Sequence, residues 1–343
     1  MSIFPVFSII INNFNGVEKL EKCISSIQKS NYPRFEIIVS DCLTPGIEDW
    51  MKKHFPDVKL VCFKKDIGPA ASRNGGLSIS DPGSKYVIFV DNDTNVHPSW
   101  LRGLESVFEN THDIGAAQPL LLKMNDHEII DGLGGFFDYM GYACLPPFFT
   151  KSLAQAPKEP KDICYCEAVT VVKRSVLYAF PDPNNPYDPD YFQHWEDVDM
   201  CWKVMLLGYR IVLVPDSVVF HERGVSAGLG KQSSELVYLN TRNRLTSLIK
   251  NYESWSLLKY VPILILFELI KTTLLLTKNS EHAVSTFRGL LWNLTNLRPS
   301  WEKRVKVQYN TRTVKDAWIK KHLMKPSLIR LIQDFQRHYR AHK

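Results

Sequence analysis

The 343-residue sequence predicts an α/β fold, a mostly parallel sheet flanked by helices with a helical extension at the C-terminus. Three observations carry this expectation. Through the first third of the chain, short Val- and Ile-rich runs alternate with segments of helical periodicity, and strands separated by helices pair in parallel. Several of these runs end in polar residues, at Asn13, Asp41 and Asp91, where parallel sheets gather their ligands. After about residue 235 the alternation stops, and helical, apolar and then basic segments follow.

In chain order, residues 6–11 read as the first strand and the turn-prone Asn12, Asn13, Asn15 and Gly16 as its end. Leu20, Cys23, Ile24 and Ile27 then recur at helical spacing. Residues 35–39 form a second strand ending at Asp41, 47–55 a short helix and 58–63 a third strand. Pro69 suits the first turn of a helix over 69–80, which Gly75 and Gly76 weaken. A fourth strand, 86–90, runs into Asp91-Asn92-Asp93, and 98–109 is a helix. Further on, 164–172 reads as a buried strand and the four prolines of 181–191 as an irregular loop. Val198, Cys201, Trp202 and Met205 mark one face of a helix that Gly208 stops. Residues 210–214 and 218–221 are extended, and 238–250 are helical.

Composition bounds the class. Hydrophobic residues make up 45% and charged residues 23% of the chain, values of a globular protein rather than a disordered, collagen-like or disulfide-scaffold one. Residues 301–343 hold 12 Lys and Arg against three Asp and Glu, a net of +9, which leaves the rest at −3. A basic tail on an acidic body suits an anionic surface. The seven cysteines are odd in number, and Cys164-x-Cys166 is too short for a zinc half-site. They read as reduced core residues of a cytoplasmic protein, and no basic segment precedes the first apolar run, so no secretory signal is expected.

Lys259, Glu268 and Lys271 interrupt the apolar run 257–276. A buried helix, an interfacial helix and a span all remain open for it. Lys259 and Glu268 lie about 180° apart on a helix, so no single polar stripe forms. Together with Trp301, Trp318 and the basic tail, the run favours peripheral or monotopic contact with a membrane surface over nucleic-acid binding.

Two acidic clusters could carry chemistry. Asp91 and Asp93, at a strand end, can share one hard cation, Mn²⁺ or Mg²⁺, with a diphosphate; a polar turn is the plainer alternative. Glu196, Asp197 and Asp199 open a helix, where the macrodipole favours acids of any function. The aromatic approach through Tyr191, Phe192 and Trp195 also suits a general base beside a sugar pocket. His221 is either structural or a third metal ligand through its neutral imidazole.

These pieces, in this order, resemble the family 2 glycosyltransferases of GT-A fold. The matching stretches are 7–15, Gly68-Pro69 to Arg73-Asn74 with Gly76, Val90-Asp91-Asn92-Asp93, Glu196-Asp197-Val198-Asp199, Gly208-Tyr209-Arg210-Ile211 and Pro215 to His221. The resemblance spans about residues 5–245 and is nearest the non-processive, rhamnosyltransferase-like branch. It implies a catalytic domain over 1–240; the apolar run and basic tail that follow read as a membrane-associating helical region over 241–343. It also implies a nucleotide-diphosphate sugar donor and a saccharide or lipid-linked acceptor; with the reduced cysteines, the apolar run and the basic tail, the expected location is the cytoplasmic face of a membrane. By residue, it implies that Asp41, Asn13, Arg73, Asp91 and Asn92 hold the nucleotide-sugar, and that Asp91, Asp93 and His221 hold the metal. Asp197 becomes the catalytic base with Glu196 as its neighbour, in a single displacement with inversion. The stretch Asp41-Cys42-Leu43-Thr44-Pro45-Gly46 keeps only the first acid of the family's D-N-x-S-x-D pattern. A nucleotidyltransferase and a catalytically silent nucleotide-sugar binder are the competing classes; the pairing of Glu196-Asp197 with His221 speaks against the first, and the full set of acids against the second.

Overall fold

Six strands run in one direction through the centre of a ten-stranded sheet, in a computed structural model that describes residues 6–222, 233–277 and 279–322. The first half is built from β1 (Phe7–Phe14), β2 (Phe35–Cys42), β3 (Lys59–Phe63) and β4 (Tyr86–Asp91), all parallel. Between and after them come α1 (Glu18–Gln28), α2 (Ile47–His54), α3 (Gly68–Ser78) and α4 (Trp100–Asn110). The short β5 (Thr94–Val96) follows the β4 turn.

The strands bury both faces, as a sheet covered by helices must. Ile10, Ile38, Val87 and Phe89 enter one core, while Ile9, Ile11, Val39, Ile88 and Val90 enter the other. β1 runs three residues past its expected end at residue 11. Asn12, Asn13 and Phe14 stay extended because Ser40, Asp41 and Cys42 of β2 continue to pair with them.

The second half adds β6 (Ile114–Lys123) and β7 (Asp126–Gly132), which the local pattern does not announce, then a two-stranded ribbon of β8 (Phe136–Phe137) and β9 (Ala143–Cys144). β10 (Lys161–Ile163) precedes β11 (Val169–Lys173), the core of the strand expected over 164–172. β11 lies antiparallel between β4 and β6. α5 (Arg174–Tyr178) and α6 (Glu196–Leu206) lead to β12 (Arg210–His221), one strand with a register shift between Val214 and Val218 where two pieces were expected.

The C-terminal helices are α7 (Ser234–Asn251), α8 (Ser254–Leu275), α9 (Ser280–Thr295), α10 (Leu297–Asn310) and α11 (Asp316–His322). A division at residue 240 falls inside α7, whose second half is buried and bonds through Lys250 and Asn251 to Asp188 and Asp199. Arg304 of α10 is buried and donates to the Ile249 and Tyr252 carbonyls, and Val307 and Ile319 join the core. Residues 301–322 are therefore folded against the body rather than a free tail; the remaining basic residues lie outside the described residues.

The apolar run forms α8 with its polarity reversed. Ser256, Tyr260, Leu264, Glu268 and Thr272, four residues apart, face inward, while Leu258, Ile263, Leu266, Leu269, Ile270 and Leu274 face out. Among the described residues no helix is long and apolar enough to cross a membrane.

Candidate active site

The carboxyl ends of β1, β2 and β4 meet at a chain of side chains. Asn13 donates to Asp41 (2.6 Å), Asn92 donates to Asn13 (2.6 Å), and Thr44 donates to Asp41 through its hydroxyl (2.6 Å) and its backbone N–H (3.1 Å). Parallel register places Asn13 beside Asp41 and Asn12 beside Asp91. Three accepted bonds leave Asp41 one of a carboxylate's roughly four lone-pair sites. Beside it opens a cleft of about 290 Å³, lined in part by Leu43, Thr44, Gly46, Cys62 and Phe63.

The second assembly centres on Arg73 of α3. Its buried guanidinium donates to Asp91 (2.9 Å), Glu196 (3.2 Å) and Asp197 (3.0 Å), so one fork gathers acids from β4 and α6. The ring of Tyr187 lies 5.2 Å from the guanidinium carbon. Asn74, the next residue, donates to the Tyr187 carbonyl and accepts from its N–H, which fixes the proline-rich loop to α3. Burial works against the charge on Arg73, but Asp197 and Asp91 hold its pKa above the ordinary value. Burial pushes Asp197 up to about 8, with Glu196 and Asp91 adding to the rise and Arg73 opposing it. Glu196 is also raised, chiefly by burial. The two acids differ in access: the Asp197 side chain is 23% exposed and that of Glu196 only 6%.

Asp199 does not join them. Two residues further on a helix is about 200° around, and its carboxylate faces α7, accepting from Lys250 (3.0 Å), Asn251 (2.9 Å) and Tyr191 (3.1 Å).

The loop that delivers Glu196 and Asp197 has an unusual backbone. Phe192, His194 and Trp195 all have positive φ, at 61°, 64° and 70°, a region non-glycine residues enter only when their surroundings enforce it. The enforcing residue is Asn243 of α7. Its Nδ2 lies 3.0, 2.9 and 2.8 Å from the carbonyls of Tyr191, Gln193 and His194, and Arg242 donates to those of Asp190 and Tyr191. Gly68 completes the fit: a Cβ there would stand 2.5 Å from the Phe192 carbonyl oxygen.

The expected metal ligands separate into two groups. Asp91 turns to Arg73, whereas Asp93 faces His221, with 3.4 Å between its carboxylate and Nε2. On the other side of the ring, Nδ1 is 2.7 Å from Asp131 of β7, a residue the sequence reading lacks. Burial opposes charge on His221, but Asp131 and Asp93 raise its pKa to about 9. Among the described residues no three carboxylate, imidazole or thiol groups converge to hold an ion. The Asp93–His221 spacing nonetheless fits two adjacent ligands of an octahedral ion, about 3 Å apart at bond lengths near 2.1 Å. The Asp131 contact has the form of the outer-shell hydrogen bond found behind metal-binding histidines.

Residues 8–178 match the profile described as Glycosyl transferase family 2. The chain carries a glycosyl transferase family 2 domain. Around this glycosyltransferase domain the chain is 25% identical over 262 residues to an uncharacterized glycosyltransferase of Haemophilus influenzae, covering 69% of this chain and 75% of that one. It is 27% identical over 116 residues to glycosyltransferase AglE of Haloferax volcanii, covering 31% of this chain and 36% of AglE. The chain thus spans about a third of the length of AglE. The fold is similar to a crystal structure of GalNAc-T7 with UDP, GalNAc and Mn²⁺, at a TM-score of 0.58 and 16% identity, over 74% of this chain and 49% of that one. The likeness establishes a GT-A glycosyltransferase fold.

Proposed function

We propose that the protein is an inverting glycosyltransferase that transfers a sugar from a nucleotide-diphosphate sugar to a hydroxyl of a saccharide or lipid-linked acceptor. The observation that carries this reading is the gathering of Asp91, Glu196 and Asp197 on the Arg73 guanidinium, with Asp197 the more open of the adjacent acids. Asp197 is the general base. It takes the acceptor's proton as the new bond forms at the anomeric carbon and the bond to the diphosphate breaks. A carboxylate whose pKa burial has raised is well matched to that transfer near neutral pH. One carboxylate acting opposite the leaving group gives a single displacement, hence inversion.

Arg73 holds Asp197 in place, and the buried Glu196 packs against the same fork. Asp41, Asn13 and Asn92 receive the nucleoside end. Asp93 and Nε2 of His221 would hold Mn²⁺ or Mg²⁺, with Asp91 on the same turn. When bound, such an ion supplies positive charge to the departing diphosphate. Asp131 keeps the imidazole aimed at Asp93. In this reading the enzyme is a non-processive member of the rhamnosyltransferase-like branch and works as a peripheral protein at the cytoplasmic face of a membrane.

The test is a screen of nucleotide-diphosphate sugars with Mn²⁺ or Mg²⁺, reading nucleotide release and the anomeric configuration of the product by NMR. Inverted product that disappears in Asp197→Asn is expected. Retained configuration overturns the single displacement.

A further inference from the structure

Among the described residues 21 large apolar side chains are exposed, and 16 of them fall within residues 254–310. Soluble surfaces scatter such residues singly, and a concentration of this kind marks an interaction site. On α8 the face includes Trp255, Leu266 and Leu269; α9 adds Phe287 and Leu294, and α10 adds Trp301. These helices pack in sequence, α8 on α9 and α9 on α10.

Two features identify what covers this face. Its charged neighbours are mostly cations: Lys259, Arg288, Arg298 and Lys306 are exposed on the three helices, against Glu281 and Glu302. Tryptophans stand at the start of α8 and within α10, the residue type that settles at the boundary between lipid and water. Apolar side chains rimmed by cations complement an anionic lipid surface, which takes up the first and attracts the second. The inward polarity of α8 fixes the orientation. Glu268 is fully buried and paired with Arg244 of α7 and with Lys271, so α8 cannot turn its polar side outward without breaking that cluster. The helix lies along the surface of the fold with most of its leucines out.

We propose that the outward faces of α8, α9 and α10 form one platform that lies on an anionic lipid bilayer and inserts its apolar side chains. This rests on the membrane-associated reading above and names its surface. The catalytic acids belong to the same folded unit through α7, which holds their loop, so the platform sets their height over the membrane.

The experiment is sedimentation of the full chain with vesicles of phosphatidylcholine, alone or with an equal part of phosphatidylglycerol, at low and high salt. Leu266→Asp/Leu269→Asp and Leu294→Asp are compared with the parent; all three positions are exposed, so unchanged Tm verifies folding. Expected is binding to the anionic vesicles that largely survives high salt, because apolar burial is not screened, and that falls on the order of 100-fold in the double variant. Equal binding by parent and variants, or binding that vanishes for both at high salt, overturns the platform while leaving a membrane-bound enzyme. No vesicle binding by the parent overturns both. A concentration-dependent dimer that the substitutions abolish, without vesicle binding, shows that a second copy covers the face and likewise overturns it.

Discussion

Arg73 and Asp197 stand 124 positions apart in the chain and meet at 3.0 Å. The same guanidinium serves Glu196 and Asp91 through a rigid planar fork, whereas a lysine ammonium is a compact point charge. Arg73→Lys keeps the charge and loses the fork. It should lower stability by about 1–3 kcal/mol, the usual result of leaving a buried hydrogen-bonding group unpaired. Transfer should fall further than donor binding. Urea denaturation and the comparison of kcat with KM check the two parts.

Asp197→Asn separates chemistry from stability. Losing the base should reduce transfer roughly 10²–10⁴-fold with donor affinity kept. The stability effect has a definite sign. Asp197 has a folded-state pKa raised above its unfolded value of about 3.9. Its contribution is therefore fully present below that value and is lost as pH rises toward about 8. Tm of the parent should decline across that window, and Asp197→Asn should flatten the decline. Thermal melts at pH 5 and pH 8 provide the measurement.

Asp131 acts on His221 rather than on substrate. Asp131→Ala removes the partner of Nδ1 and frees the ring to rotate. Loss of such outer-shell partners typically weakens metal binding 10–100-fold. Titration of free Mn²⁺ by EPR in the presence of a nucleoside diphosphate should show that loss, with the circular dichroism unchanged. Equal Mn²⁺ affinity in the two proteins would dismiss the positioning role.

Which of these residues the sequence announced follows from how far each signal reaches. The β1–β4 half was legible because strand and helix periods are local, and so were the polar strand ends Asn13, Asp41 and Asp91. The antiparallel insertion of β11 was not, since an apolar run carries no direction. Asp91 and Asp93 read as partners on one ion because they are one residue apart; the turn after β4 sends them to Arg73 and His221 instead. Asp131, Tyr187 and Asn243 are single residues in unremarkable segments, and their partners lie 49 to 114 positions away by number. Glu268 looked like an interruption of an apolar run, because its partner Arg244 sits on a different helix.

Asn243 holds the positive-φ loop from behind, and its removal should be felt at the acids. Asn243→Ala leaves the carbonyls of Gln193 and His194 without their donor. Unpaired buried groups and released backbone strain each amount to about 1–3 kcal/mol and act in opposite directions on the loop. The loop should therefore relax rather than the whole fold collapse. We expect kcat to fall while the donor KM changes little, because Asn13 and Asp41 lie elsewhere. Kinetics with a saturating donor check this, and an unchanged kcat would show that the loop holds its shape without α7.

The inward face of α8 offers the last prediction. Glu268 is fully buried, accepts from Tyr142 and Arg244, and pairs with Lys271. Burial alone would raise its pKa, yet Lys271 and Arg244 outweigh it and bring the carboxyl down to about 2. A depressed folded-state value means that this acid's stabilising contribution is present above its unfolded pKa, about 4.3, and is lost as pH falls toward 2. Glu268→Gln keeps the shape but leaves Arg244 and Lys271 without a counter-charge. Breaking one side of a buried ionic group typically destabilises by about 3–5 kcal/mol. The variant should therefore melt lower at neutral pH and lack this acid's share of the parent's decline between pH 4 and pH 2. Glu268→Gln combined with Arg244→Met removes the two most buried charges and leaves only the partly exposed Lys271, so it should recover part of the loss, since a buried ion pair replaced by apolar atoms of similar size is often no less stable. Thermal melts of the parent, the single and the double variant across that range decide the matter. Equal melting of the single variant and the parent at pH 7 would mean that apolar packing alone seats α8.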